Sequence, residues 1–278
     1  MSQAPPQYRL VIFDAVDDPK ELRALICKAT GAHPTDAVQW LARTPGFWPW
    51  PLDRETVTTI LDGLYDFGVA AEARLVDQVP DLGRPRSVHR AACLGEGLRI
   101  EGLRGEPTHW IPWNKVELVC AGLIVGEASG PGGQEHWPSA VVAGVRALAL
   151  RKPRALNVGG GRPARDPVAE AIVVREDPRV AFRFVANQMN YAYLGDRLRE
   201  SAAENFPLFL ADLRDRATAA YLTDSTRSLL EARDPGEHEF PASQALLDHA
   251  TMQLLWSWYR RDRQESNERL LRGDEDEG

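Results

Sequence analysis

The stretch DQVPDLGRPRS, residues 77–87, separates two parts of the chain with different hydrophobic periods, and that change constrains the fold more than any single motif. Before it, apolar residues recur at three- and four-residue spacing, as amphipathic helices require. After it they run or alternate in short segments bounded by Gly, Pro and acidic residues, as strands do. A single layer pattern cannot satisfy both periods, so the expected class is α+β with two cores. A length of 278 residues, 44% of them hydrophobic, is enough to fill both.

Within the first part, YRLVIFDA has strand character, and Asp18-Pro19 has the form of an N-cap with proline at the first helical turn. Leu22, Leu25 and Ile26 share one face of that helix, which should stop at Gly31. A second helix should open at Pro34-Thr35, carry Ala37, Val38, Trp40 and Leu41 inward, and end before Pro45-Gly46. Asp53 caps a third, with Val57, Ile60, Leu61 and Leu64 at helical spacing, ended by Phe67-Gly68. VAAEARL then returns as a strand. The predicted order is strand, helix, helix, strand-free loop, helix, strand.

Thr30-Gly31, Asp36-Ala37, Pro45, Gly68 and Glu72 follow one another without a gap over residues 8–75. This series resembles the C-terminal domain of the bacterial ribosomal stalk protein L7/L12, over about a quarter of the chain. The resemblance implies a small α/β domain over residues 7–76 and contact with a translational GTPase through the first two helices. Where that family exposes its basic side chains, this chain has Pro19, Ala24 and Cys27, and its turn reads AHP in place of a glycine between leucines. Lys20, Arg23 and Lys28 are offset from those positions. With His33, Trp48 and Trp50 they are the candidate partner-binding residues; an aromatic cluster in GFWPWPLD would either anchor a partner or staple the loop onto the protein.

Residues 77–86 form the linker. Beyond it SVHRAACL, GLRIEGL, HWIPWNKVELVCAGLIV, AVVAGVRALALR, AEAIVVR, RVAFRFVA and MNYAYL are successive strand candidates, followed by a helix with Phe206, Phe209, Leu210, Leu213 and Ala217 in a stripe. Seven antiparallel strands closed by a helix, with the W-I-P-W-x-K-V run at residues 110–116, resemble a bacterial pleckstrin-homology-like barrel spanning residues 87–222. A Greek-key barrel or sandwich reads almost the same. Residues 223–264 form a C-terminal extension: an irregular link or strand, then a helix over residues 242–263 whose Leu246, Leu247, Ala250, Leu254 and Trp258 share a face. GDEDEG, within an acidic tail of residues 265–278 expected to be disordered, has nothing to bury.

The function classes narrow by chemistry. A net charge of −7 argues against general attraction to nucleic acid or anionic lipid, although Arg146, Arg151, Lys152 and Arg154 could form a local basic face. No apolar run reaches the ~20 residues of a membrane span, and the first ten residues lack a signal peptide's basic start, so the expected place is the cytoplasm. Cys27, Cys93 and Cys120 lack paired spacing and read as buried, inert thiols; the six histidines have no ligand spacing, so no metal centre or cofactor is expected. The loop NVGGGRPARDP, with Gly159, Gly160, Gly161, Arg162 and Arg165, could hold a small anion, but it lacks the phosphate-binding fingerprints and reads better as a loop between strands. Asp212 and Asp215 sit among arginines on an expected solvent face, and no nucleophile with a base is present. Asn187, Gln188, Asn190, Asn205, Tyr191 and Tyr193 suit caps and turns better than a peptide groove. The expectation is a non-catalytic protein-binding adaptor. A small-anion binder or enzyme, and an oligomerising module using Trp256 and Trp258, are the alternatives.

Overall fold

The computed structural model describes residues 5–102, 107–125 and 167–272. It divides into two compact units, Met1–Asp81 with Leu255–Gly278, and Leu82–Leu254. Both mix helices and sheets, so the class is α+β.

The first unit runs β1 (Tyr8–Ile12), α1 (Pro19–Thr30), α2 (Pro34–Leu41), β2 (Gly46–Phe47), α3 (Arg54–Asp66) and β3 (Ala71–Leu75). Local chemistry sets the helix ends. Asp18 accepts from the Lys20 amide at 2.9 Å, and Asp53 accepts from the Thr56 amide at 2.9 Å, so each satisfies an amide that lacks a helical partner. Gly31 closes α1 at φ 68°, a conformation that favours glycine, with its N–H donated to the Cys27 carbonyl. Leu10 and Ile12 of β1 pack with Leu22, Ile26, Ala37, Leu41, Val57, Ile60 and Leu64 in one core. The loop expected to be strand-free holds β2, which pairs antiparallel with β1 and gives the sheet order β2-β1-β3. Two residues are too few to show a period, so only the bond from the Trp48 amide to the Leu10 carbonyl, 2.8 Å, and its neighbours reveal it.

The second unit contains β4 (Arg86–Val88), β5 (Ala91–Cys93), β6 (Gly97–Ile100), β7 (His109–Pro112), β8 (Val116–Ile124), β9 (Val168–Arg175), β10 (Val180–Val185), α4 (Ala202–Arg216), β11 (Tyr221–Leu222), α5 (Asp224–Leu230), β12 (Glu239–Phe240) and α6 (Ser243–Arg272). The division between the units falls within α6. β8, β9 and β10 form an antiparallel meander in a sheet ordered β11-β8-β9-β10-β4, with β12 also on β8; β5, β6 and β7 form a second sheet. Residues of both sheets and of α4 share one core, including Leu98, Ile111, Val119, Val173, Phe182, Phe184, Phe206, Phe209 and Leu213.

Several expectations are corrected here. Pairing is not all antiparallel, because β4 lies parallel to β10, and β11 and β12 lie parallel to β8. Among the described residues neither sheet closes on itself. MNYAYL is not a strand: it turns through short 3-10 segments, with the Tyr191 hydroxyl donating to the Ala186 carbonyl at 2.8 Å and the Asn190 side chain accepting from the Ala192 amide at 2.9 Å. The stretch after Thr223, expected to be a strand or irregular link, opens with α5 and reaches the short strand β12 only at its end. The candidate strand AVVAGVRALALR lies outside the described residues.

The outer edge of β8 is closed in three pieces. β11 pairs with Leu118 and Val119, and β12 with Leu123 and Ile124. Between them the Thr226 hydroxyl accepts from the Ala121 amide at 2.7 Å and donates to the Val119 carbonyl at 3.2 Å. A helix side chain thus completes a strand ladder where no strand lies. Gly122 permits the approach, since a Cβ there would meet the Phe240 ring and the His238 carbonyl.

Candidate partner-binding surface

Helix α1 exposes Lys20, Arg23 and Lys28. Lys20, Ala24 and Lys28 stand at i, i+4 and i+8 along one ridge, with Arg23 beside it, while Leu22 and Ile26 hold the opposite side in the core. A cationic ridge is therefore fixed at the surface by the same periodicity that buries the helix. His33 follows at the N-cap of α2, where its Nδ1 accepts from the Thr35 amide at 3.3 Å, so this side chain has a structural task.

Trp40 of α2 forms an edge-on cluster with Trp48 and Trp50 of the following loop. Trp48 is 2% exposed and belongs to the core, whereas Trp50 is 39% exposed. Trp40 lies between them, edge-on to Trp48 with ring centroids 5.3 Å apart and to Trp50 at 4.6 Å. Trp48 and Trp50 also meet edge-on at 5.9 Å. Arg9 secures the loop backbone by donating to the Trp48 carbonyl at 3.3 Å. The two sequence candidates therefore differ: Trp48 staples the loop to the core, and Trp50 is an aromatic surface held rigid from beneath. The helical spacing of Trp40 marks it as a core residue, and its contact with Trp50 is set by the tertiary fold.

Several other titratable side chains among the described residues hold the fold. Asp212, expected at the solvent face, is buried: Arg197 donates to both its oxygens at 2.9 and 2.7 Å, and the Tyr193 hydroxyl donates at 3.0 Å. Burial alone would raise this carboxyl, but those hydrogen bonds outweigh it and keep it below the usual carboxylate range. Asp215 is exposed and pairs with Arg214 at 2.7 Å. Glu170 lies within the buried run of β9 and is held by Arg183 at 2.6 and 2.9 Å and by the Ser243 hydroxyl at 2.9 Å. Asn205 binds Arg199 and Ser201 backbone groups, which fixes the start of α4.

Burial pushes the Cys93 and Cys120 thiols up to about 12, which removes the thiolate a nucleophile would need. Cys27 departs from the expectation of burial and is half-buried. His238 is buried with its Nδ1 2.9 Å from the Ser228 hydroxyl, itself fully enclosed, so this pair braces α5 against β12. Among the described residues no three His, Cys, Asp or Glu side chains converge as metal ligands, and no helix there is long and apolar enough to cross a membrane. Trp256 and Trp258, considered as an oligomer contact, pack within the first unit against Phe13 and Arg74. Gly159, Gly160, Gly161, Arg162 and Arg165 lie outside the described residues, as do Arg146, Arg151, Lys152, Arg154, His136 and residues 273–278. No protein-family model matches the chain, and no curated protein or solved structure matches it.

Proposed function

We propose that the protein is a non-catalytic cytoplasmic adaptor whose first unit recognises another protein through α1, α2 and the surface of Trp50. The observation that carries this reading is the graded, edge-on tryptophan cluster, from Trp48 at 2% exposure to Trp50 at 39%. An exposed indole held on a buried one has little side-chain freedom left to lose on binding, the property that lets a few aromatic residues dominate an interface. The ridge of Lys20, Arg23 and Lys28 would add attraction for an acidic partner.

The resemblance to the stalk-protein domain makes a translational GTPase the first partner to test. Its support is the placement of Gly31 at the end of α1, Asp36 and Ala37 in α2, Gly68 after α3 and Glu72 on β3. In the second unit, two sheets and α4 around one core support a pleckstrin-homology-like arrangement as the finer reading. The test is an affinity purification with tagged full-length protein, its Trp50→Ala variant and a Lys20→Glu/Arg23→Glu/Lys28→Glu variant. Proteins retained by the wild type and lost by both variants would support the proposal, and a translational GTPase among them would extend it to the stalk-like role. Retention of the same proteins by all three folded baits would overturn it.

A further inference from the structure

The sheet of the first unit has two faces. Leu10 and Ile12 look into the helix-side core; Val11, also fully buried, points the other way, level with Phe47 on β2 and Glu72 on β3. This second face is polar for a buried one. Arg9 and Arg74 stand directly opposite each other on adjacent strands, a pairing of like charges that disfavours the sheet unless anions lie close.

Residues 255–262 of α6 belong to this unit and lie against that face. Phe13 meets Trp256 at 5.1 Å and Tyr259 at 5.0 Å, and those two rings stack at 5.5 Å. The Arg74 guanidinium lies 4.9 Å from the Trp258 ring and reaches Glu72 at 2.7 Å and Asp262 at 3.3 Å. Arg74 thus joins the strand, an aromatic ring and an acid of the helix. The fit is incomplete: Glu72 Oε2 and Arg74 Nε are buried without a hydrogen-bond partner. Charged groups left unsatisfied weaken the covered state relative to one in which water reaches them. Burial accordingly raises the Glu72 carboxyl against the pull of Arg74. The helix-side core contains one such atom as well, Trp48 Nε1, but it is uncharged and lies beyond the end of β2, while Leu10 and Ile12 pack with apolar side chains.

We propose that residues 255–262 are a releasable cover on the second face of this sheet, keyed by Arg74. Opening exposes Val11, Phe13 and the Trp256 and Tyr259 rings while the helix-side core stays closed.

Leu10 and Val11 are neighbours on one strand, equally buried and on opposite faces, which gives the test. In the full chain carrying Cys27→Ser, the maleimide-labelling rates of Val11→Cys and Leu10→Cys are compared under native conditions. A cover that opens alone makes the Val11→Cys thiol react at least ~10-fold faster, and adding Arg74→Gln accelerates it further without changing Leu10→Cys. Equal rates, or equal acceleration of both by Arg74→Gln, would mean that the two faces open only when the unit unfolds, and would overturn the proposal. Should either variant fail to fold, Phe13→Cys and Ile12→Cys give the same comparison between the covered face and the helix-side core, read as the change on adding Arg74→Gln.

Discussion

Replacing Thr226 by valine preserves the shape of a fully buried side chain and removes only its hydroxyl. That hydroxyl is the acceptor for the buried Ala121 amide at 2.7 Å. Valine leaves the amide without a partner, and an unsatisfied buried donor costs ~1–3 kcal/mol. The other groups lose less. Val119's carbonyl still accepts from the Thr223 amide at 3.2 Å, and the Thr223 hydroxyl still lies 2.9 Å from that of Ser225. The expected loss is therefore roughly 2–3 kcal/mol, governed by the single orphaned amide. Thr226→Ser is the control, since it keeps the hydroxyl and removes one methyl, for a loss of about 1 kcal/mol. Urea unfolding followed by far-ultraviolet circular dichroism measures both, on the transition that these changes displace. Serine should unfold at higher urea than valine, with similar slopes. The reverse order would show that Thr226 contributes by packing, and the ladder argument would fail.

Three further outcomes are expected. Native protein at pH 8 should show one rapidly reacting thiol with Ellman's reagent, the half-buried Cys27, and three in urea; a second fast thiol would contradict the enclosure of Cys93 and Cys120, whose thiols burial pushes up to about 12. Burial holds His249, whose ring centroid is 5.3 Å from that of Phe240, down to about 4, against an ordinary value of 6.5. The unfolded chain therefore binds the extra proton first, so the contribution to stability is present above pH 6.5 and is lost as pH falls toward 4. Because the residue retains some solvent contact, we set the loss at roughly 1–3 kcal/mol, below the full value of the shift. His238, also lowered by burial, acts in the same direction, so the measurement is the difference between wild type and His249→Gln in urea midpoints at pH 7 and pH 4.5; an identical pH dependence in both would remove His249 from the account. Finally, a Cβ on Gly97 would lie 2.5 Å from the Ile111 carbonyl oxygen of the paired strand, a backbone atom with little room to shift, whereas Gly95 has nothing within 4 Å. Gly97→Ala should cost ~1–3 kcal/mol and Gly95→Ala at most a few tenths, and thermal melting of the two variants checks the contrast.

What the sequence made legible was whatever local chemistry decides. Asp18, Asp53 and Gly31 mark helix ends because cap geometry needs only neighbouring residues, and the stripe of Leu246, Leu247, Ala250, Leu254 and Trp258 marks a buried helix face by its spacing. The DSTRSLL stretch hid α5 because its buried side chains are hydroxyls: Thr226 and Ser228 look solvent-facing until β8 and His238 supply their partners. Asp212 misled for the same reason. Its neighbours in sequence are Arg214 and Arg216, but its carboxylate binds Arg197, fifteen positions earlier. In the candidate surface, the pattern in GFWPWPLD pointed to Trp48 and Trp50 together, while only the edge-on contacts with Trp40 assign one to the interior and the other to the surface. Nothing in the local pattern of β3 shows that Glu72 and Arg74 lie beneath the far end of the chain.

The piecemeal closure of β8 bears on whether another chain can add to that edge. VELVCAGLI contains a single charge, no proline and a high share of branched side chains, a composition that invites another chain to add as a strand if the edge is left open. Two strands of two residues each and one threonine hydroxyl leave no stretch of that edge long enough to template such growth. Sequence segments that contribute little to the core thereby act as guards against fibril-like association, and a longer covering strand is not required to do it.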